Sequence, residues 1–143
     1  MIKVLFVCHG NICRSPMAEF ILKDLVARRG LSGQFEIDSC AASREEEGNA
    51  MYGPACRELQ KHGVPYRSRR ARLITRQDLD RFDRIYYMDS RNARYLRQRF
   101  PEDAHKFRQL LSRDVADPWY TGDFSQTWED LLEGCENILE ELT

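Results

Sequence analysis

The 143-residue sequence lacks any apolar run that approaches the length of a membrane span, and its start lacks the features of a secretory signal peptide. It also lacks a charge excess, because 22 basic and 23 acidic residues leave a formal net charge of −1. Bulk charge therefore predicts affinity for neither nucleic acid nor membranes. No repeat, low-complexity stretch or long linker divides the chain, so its length predicts one domain over residues 1–143.

The cysteines and histidines lack the spacing of a disulfide framework or a metal site. Five cysteines, an odd number without regular spacing, indicate a reducing compartment, so we expect a cytoplasmic protein. The three histidines do not cluster at ligand spacing, and we expect no metal and no cofactor. We expect structural roles for Cys40, Cys56 and Cys135.

Apolar runs alternate with amphipathic segments along the chain. The pattern predicts strands at 2–8, 35–39, 85–88 and 107–111. It predicts helices at 15–29, 53–62, 92–100 and about 128–139, and a capping box of Thr75 and Asp78 opens a further short helix. Strands that alternate with helices predict an α/β fold with a parallel sheet covered on both faces, and functional loops at the carboxyl ends of its strands.

The most informative motif is VCHGNICRSP at residues 7–16, between the first predicted strand and the first predicted helix. Cys8 offers a sulfur nucleophile, Arg14 can hold two phosphate oxygens, and the helix start directs its positive end at an anion. The loop amides can curl into a nest around a dianion. A Cys-x5-Arg spacing alone often arises by chance, but here the strand, the glycine and the helix favour an anion site. We assign phosphate binding to His9, Gly10, Asn11, Ile12, Cys13 and Arg14.

Cleavage of a phosphate ester by cysteine requires a thiolate, donors for the phosphoryl charge and a proton for the leaving group. The helix start, the loop N–H groups and Arg14 supply the first two. Asp117, in the flexible-looking segment DPWYTG, is the candidate acid, and it can then act as the base that activates water. Asp-Pro is also ordinary turn chemistry, and Asp114 is an alternative acid.

The segment LFVCHGNICRSPMAE resembles the signature of the low-molecular-weight protein tyrosine phosphatases. The resemblance extends over most of the chain, through Ile37-Asp38-Ser39, His62-Gly63-Val64, Ala71–Thr75, Tyr87-Met88-Asp89 and Asp117–Tyr120. It implies a single-domain, four-stranded, doubly wound sheet. It also implies hydrolysis of phosphotyrosine and other aryl phosphate monoesters through a Cys8 phosphocysteine, with Asp117 as general acid and base and a phosphotyrosine protein as partner. We expect a monomer or a weak dimer.

The resemblance also implies supporting roles. The residues that match Asn11, Ser15 and Ser39 hold the loop in the family, although a left-handed Asn and a helix-capping Ser are simpler local roles. The family often has a histidine near Arg69, so this chain departs from the pattern there. Cys13 is either a small buried filler or a redox partner of Cys8, and the resemblance supports the second role.

The rim of the site is expected to comprise His9, Glu45, Trp119 and Tyr120. Relatives commonly carry an aromatic residue at the position of Glu45, opposite the wall that Trp119 and Tyr120 are expected to form. Here the segment reads Glu45-Glu46-Glu47, which is either a solvated acidic loop or a cleft wall that repels acidic phosphopeptides.

Three other functions compete with this prediction. Arsenate reduction by relatives needs two further cysteines, and residues 73–92 contain none. Protein arginine phosphatases of this family carry threonine at the position of Ile12, and the bulkier isoleucine of this chain favours an aryl phosphate. A non-catalytic phosphate-binding module would not need the combination of Cys8, Arg14 and Asp117.

Overall fold

The computed structural model describes all residues, Met1–Thr143, and contains one sheet of four parallel strands in the order β2-β1-β3-β4. The strands are Ile2–Cys8 (β1), Phe35–Ala41 (β2), Arg84–Tyr87 (β3) and Phe107–Gln109 (β4). The helices are Arg14–Arg28 (α1), Gly53–Lys61 (α2), Arg76–Arg81 (α3), Ser90–Arg99 (α4), Pro118–Thr121 (α5) and Phe124–Leu142 (α6). Two 3₁₀ turns occupy Ser32–Gln34 and Pro101–Lys106. None of the helices has both the length and the apolar character that crossing a bilayer requires.

The central strand β1 supplies side chains to two cores, one on each face of the sheet. Val4, Phe6 and Cys8 belong to the core that α1, α2 and α6 cover. Leu5 and Val7 belong to the core beneath α3 and α4. A strand buried on both faces is apolar along its whole length, and this explains the continuous hydrophobic run in the sequence. The predicted α/β fold with helices on both faces is confirmed.

The strand order places a crevice at the carboxyl end of β1. The chain pairs β2 with one edge of β1 and then pairs β3 with the other edge, so the connections after β1 and β3 diverge. Ligand sites of open α/β sheets form at such a switch point. Cys8, the last residue of β1, lies there.

Several element boundaries differ from the prediction for local reasons. β2 continues past the predicted end at Ser39, because Cys40 and Ala41 pair in register with the end of β1. α4 begins two residues before the predicted start, because Asp89 forms a capping box with Asn92.

Two further boundaries also differ, since α6 begins earlier and β4 ends earlier than predicted. α6 begins at Phe124, before its apolar pattern, because the Asp123 side chain caps the N–H of Gln126 at 3.0 Å. β4 ends at Gln109, where its pairing with β3 ends. The predicted capping box of Thr75 and Asp78 is confirmed.

Candidate active site

Cys8 lies at the floor of a cleft, with 3% of its surface exposed. The backbone N–H groups of Asn11 and Ser15 point at its Sγ, with N–S distances of 3.3 and 3.4 Å, and the Ser15 hydroxyl lies 3.1 Å from the sulfur. No side chain caps the start of α1 at Cys13, so the N–H groups of its first turn remain directed at the loop. The two N–H donors and the positive helix end favour negative charge at this position.

The loop keeps its shape through Asn11, the one non-glycine residue with positive φ, at 60°. Its side chain is fully buried and faces away from the cleft. The Asn11 Nδ2 donates to Ser15 Oγ at 2.8 Å and to Ser39 Oγ at 3.0 Å. Ser39 in turn donates to Glu19 at 2.6 Å. The left-handed Asn is thus present as the sequence suggested, whereas Ser15 bonds within the loop and does not cap the helix.

Arg69 closes this network on the side where the family pattern has a histidine. Its Nη1 donates to the Asn11 carbonyl at 2.7 Å, and its Nη2 donates to Asn11 Oδ1. Burial lowers the pKa of the Arg69 guanidinium, while the nearby charges of Glu19 and Cys8 act in the opposite direction. The backbone N–H of Arg72 also donates to Asn11 Oδ1, at 3.2 Å. Every polar atom of the Asn11 side chain therefore has a partner.

Arg14 is 2% exposed and lies between two carboxylates. Its Nη1 donates to Asp89 Oδ2 at 2.6 Å and to the Val115 carbonyl at 2.9 Å, while its Nη2 donates to Asp117 Oδ2 at 3.3 Å. Burial would lower the pKa of Arg14, but the negative charges of Cys8, Asp117 and Asp89 outweigh it and raise the pKa. Arg14 is therefore a fixed positive charge beside Cys8.

Asp117 reaches the cleft from a short helix. The sequence suggested a flexible loop here, and that expectation is wrong for Pro118–Thr121, which forms α5. Asp117 caps α5 by accepting the N–H of Trp119 at 3.1 Å through Oδ1, and this leaves Oδ2 for Arg14. Asp114 lies elsewhere, where it accepts the N–H of Ser90 at 3.2 Å and the Gln109 amide at 2.9 Å.

Acidic and aromatic side chains form the rim. Glu45 and Glu46 line the cleft, and Glu45 Oε2 lies 2.8 Å from Nε2 of His9, which is itself largely buried. Glu47 pairs with Arg44 and does not line the cleft, so the acidic wall contains two of the three predicted residues.

The aromatic side of the rim consists of Trp119 and Tyr120, which also line the cleft. They are 52% and 72% exposed, and both can therefore reach a bound molecule. The Trp119 ring is supported by Tyr52, with ring centroids 4.8 Å apart.

The remaining loop residues Gly10, Ile12 and Cys13 line the cleft next to Cys8. A Cβ at Gly10 would lie 3.0 Å from Glu46 Cγ, so the absence of a side chain lets the acidic wall approach the loop. The Cys13 thiol is buried, and burial, with the nearby Cys8 and Asp117 charges, raises its pKa far above the ordinary value. Cys13 is thus a protonated thiol in the same cleft as Cys8.

The sequence prediction assigned no role to Asp89, Glu19 or Tyr52. Asp89 had an available signal, because a carboxylate directly after a buried strand lies at the sheet edge where Cys8 also ends its strand. Glu19 and Tyr52 had no signal in the sequence, since tertiary packing alone brings them to the loop.

Comparisons with known proteins agree with this geometry. The family described as "Low molecular weight phosphotyrosine protein phosphatase" matches residues 3–143. The protein-tyrosine-phosphatase YfkJ of Bacillus subtilis is 40% identical, over 97% of this chain and 94% of that protein. The crystal structure of SP-PTP, a low molecular weight protein tyrosine phosphatase from Streptococcus pyogenes, superimposes with a TM-score of 0.94. It is 37% identical and covers 100% of this chain and 94% of that one.

A further similar structure is that of DARP, a Drosophila arginine phosphatase, with a TM-score of 0.88. It is 33% identical over 99% of this chain and 98% of that one. The family match over nearly the whole chain, together with these likenesses, shows that this chain belongs to the low molecular weight phosphotyrosine protein phosphatase family.

Proposed function

We propose that this chain hydrolyses phosphotyrosine and related aryl phosphate monoesters through a covalent phosphocysteine on Cys8. The observation that carries the proposal is the Cys8 sulfur, which faces two backbone N–H groups and the Ser15 hydroxyl within 3.4 Å at a helix start. Donors arranged in this way suit a negatively charged group, and the sulfur lies at the base of the loop that they form.

In the first step the Cys8 thiolate attacks phosphorus, a P–S bond forms and the P–O bond to the aryl group breaks. Arg14 and the loop amides hold the phosphoryl oxygens as charge moves between them. The departing phenolate oxygen takes a proton from the Asp117 carboxyl group.

In the second step water attacks the phosphocysteine. Asp117, now a carboxylate, removes a proton from the water, the P–S bond breaks, and Cys8 returns to a thiolate as inorganic phosphate leaves. Asn11, Ser15 and Ser39 act by holding the loop through hydrogen bonds of 2.8 and 3.0 Å, and Arg69 belongs to the same group.

The rim supports an aryl substrate. Trp119 and Tyr120 are exposed aromatic side chains beside the cleft, and they can stack on the phenyl ring of phosphotyrosine. The likeness to DARP makes arginine phosphatase activity the second candidate. Ile12 lines this cleft, and the family resemblance implies that arginine phosphatases have threonine at this position. Isoleucine is bulkier than threonine, and this favours the aryl substrate.

We further propose that oxidation controls the enzyme. Peroxide oxidises the Cys8 thiolate to a sulfenic acid, and Cys13 then displaces water to form a disulfide that thiols reduce. Both cysteines line the same cleft and both are free.

Turnover of phosphotyrosine, phosphoserine, phosphoarginine and arsenate, measured side by side, tests the proposal. We expect phosphotyrosine to be preferred, Cys8→Ser to bind phosphate-like anions without turnover, and Arg14→Ala to lose both binding and rate. Substantial turnover by Cys8→Ser would exclude the covalent mechanism, and a preference for phosphoarginine would exclude the aryl assignment.

A further inference from the structure

Helix α4 presents an uncompensated positive surface. It contains four arginines and no acidic residue. Half of the arginines on this protein form ion pairs with carboxylates, as Arg84 and Arg113 do with Glu141 and Asp130. None of the ion pairs includes the α4 residues Arg91, Arg94 or Arg97. In a chain with a net charge of −1, this surface is a local excess of positive charge.

Part of this surface adjoins the active-site cleft. The Arg91 guanidinium lies 5.9 Å from the centroid of the Tyr95 ring. The neighbouring side chains of Tyr120 and Tyr95 raise the pKa of Arg91. Tyr120 lines the cleft, and the Tyr95 ring meets the His9 ring edge-on with centroids 5.3 Å apart. Arg91 therefore lies beside the rim of the cleft, one aromatic ring away from His9.

The surface is also concave at this point. Arg91, Arg94, Tyr95 and Gln98 line a hollow of about 330 Å³. Its charged groups are both positive, and the Gln98 amide adds neutral hydrogen-bond donors. Arginine binds carboxylates through paired N–H groups. The hollow therefore suits an acidic side chain.

We infer that Arg91 and Arg94 form a subsite that binds an acidic side chain of the peptide next to the phosphotyrosine. The inference rests on the proposed function, because it assumes that a phosphotyrosine peptide lies across this rim. The negative section of the rim, Glu45 and Glu46, is separated from Arg91 by the rings of His9 and Tyr95. The substrate thus meets positive charge on one section and negative charge on another, and the order of charges along the peptide becomes a determinant of specificity.

Two phosphotyrosine peptides of identical composition test this directly. One carries glutamates before the phosphotyrosine and lysines after it, and the other carries the reverse order. Because their net charges are equal, long-range attraction cannot distinguish them, and only placement along the rim can. We expect kcat/KM to differ about 3–10-fold at low salt, since each exposed ion pair adds a modest factor, and to converge at high salt.

The double variant Arg91→Gln/Arg94→Gln is expected to lose most of this preference, with each peptide rate normalised to p-nitrophenyl phosphate turnover by the same protein. The matched control is Arg97→Gln, which removes one positive charge from the same helix outside the hollow and is compared with each single variant, Arg91→Gln and Arg94→Gln. The control is expected to retain the preference. Equal rates for the two peptides in the native protein, or a preference that the double variant retains, would overturn the inference.

A binding measurement separates this inference from the proposed function. Dissociation constants for both peptides are measured with Cys8→Ser, with and without the two α4 substitutions. A difference between the peptides that disappears with Arg91 and Arg94 supports the subsite even if turnover is absent. Equal constants would overturn the subsite whatever the native enzyme hydrolyses.

Discussion

Replacing Arg69 by alanine removes both hydrogen bonds that its guanidinium donates to Asn11. The Asn11 side chain keeps one donor to its Oδ1, the Arg72 N–H at 3.2 Å. The Asn11 backbone carbonyl loses the guanidinium donor that lay 2.7 Å away. Because Asn11 has no exposed surface, water does not replace that donor while the loop keeps its shape. A hydrogen bond from a charged group contributes about 1.5–3 kcal/mol. That matches or exceeds the roughly 1–2 kcal/mol that a left-handed residue costs, so the loss of Arg69 favours relaxation of Asn11 from its φ of 60°, against the bonds that Ser15, Ser39 and Arg72 still make.

The relaxation matters because the Asn11 N–H is a donor to the Cys8 sulfur, at 3.3 Å. Losing one such bond, at about 1.4 kcal/mol, lowers the thiolate-to-thiol ratio about tenfold. The midpoint of Cys8 alkylation against pH should therefore rise by about one pH unit. Turnover should fall about tenfold below the midpoint and less above it, because the thiolate fraction saturates there.

The assay is the rate of iodoacetamide alkylation of Cys8 between acid and neutral pH, with chemical denaturation to measure stability separately. The matched control is Arg70→Ala, which removes a neighbouring arginine that bonds only the Gly48 carbonyl at 2.8 Å. Arg69→Lys should restore part of the shift, because lysine keeps the charge but lacks the planar fork that serves two acceptors. An Arg69→Ala protein that is less stable but has the native alkylation profile would refute the reasoning.

Three further predictions concern the acid, the second cysteine and acid stability. Asp117→Asn should slow aryl phosphate cleavage by about 10²–10⁴-fold, and the loss should be smaller for substrates with good leaving groups. Asp114→Asn should change the rate little, because Asp114 bonds Ser90 and Gln109 and does not face the cleft. The reverse ranking in steady-state rates would assign the acid to Asp114. Cys13→Ser should make peroxide inactivation harder to reverse with thiols, because Cys8 then passes to irreversible acids, and peptide mapping that pairs Cys8 with another cysteine would contradict this. Burial raises the pKa of Asp78, but hydrogen bonds from Arg72 and Thr75 outweigh it and hold the pKa below its ordinary value of 3.8. The stability that this lowered pKa confers is present above 3.8 and is lost as the pH falls through the pKa of the folded protein. In urea titrations at pH 7, Asp78→Asn should therefore have a free energy of unfolding about 1–2 kcal/mol below that of the native protein. This difference between the two proteins should shrink at acid pH.

The parts of the molecule that were predictable from sequence are those that depend on nearby residues. β1 was predicted with its observed bounds because a continuous apolar run has one stable placement in a parallel sheet. The short helix after Thr75 was predictable because both members of its capping box lie within one turn. The proximity of Cys8, the loop amides and Arg14 was predictable for the same reason, since these groups and the helix start are contiguous in the chain.

The supports of that loop were not predictable in the same way. Arg69 contacts Asn11 across 58 positions of the sequence, and Asp89 contacts Arg14 across 75. No periodicity or spacing rule specifies such pairs, because the folding of intervening elements decides which distant residue meets the loop. The α5 turn was missed for a different reason. Asp-Pro predicts a turn, and the single helical turn that follows is stabilised by Asp117 capping Trp119 at 3.1 Å.

The two carboxylates beside Arg14 are not equivalent, and the difference explains how one arginine can be both fixed and responsive. Asp89 caps α4 with Oδ1, which accepts the Asn92 N–H at 2.8 Å, and holds Arg14 with Oδ2 at 2.6 Å. Because helix α4 fixes the Asp89 carboxylate, that contact orients the guanidinium. Asp117 makes a longer contact of 3.3 Å from a four-residue helix. In the proposed mechanism, a phosphate dianion bound in the loop therefore displaces Asp117, and not Asp89, from Arg14. The exchange frees the Asp117 carboxyl beside the phosphate, where the proposed mechanism needs a proton donor.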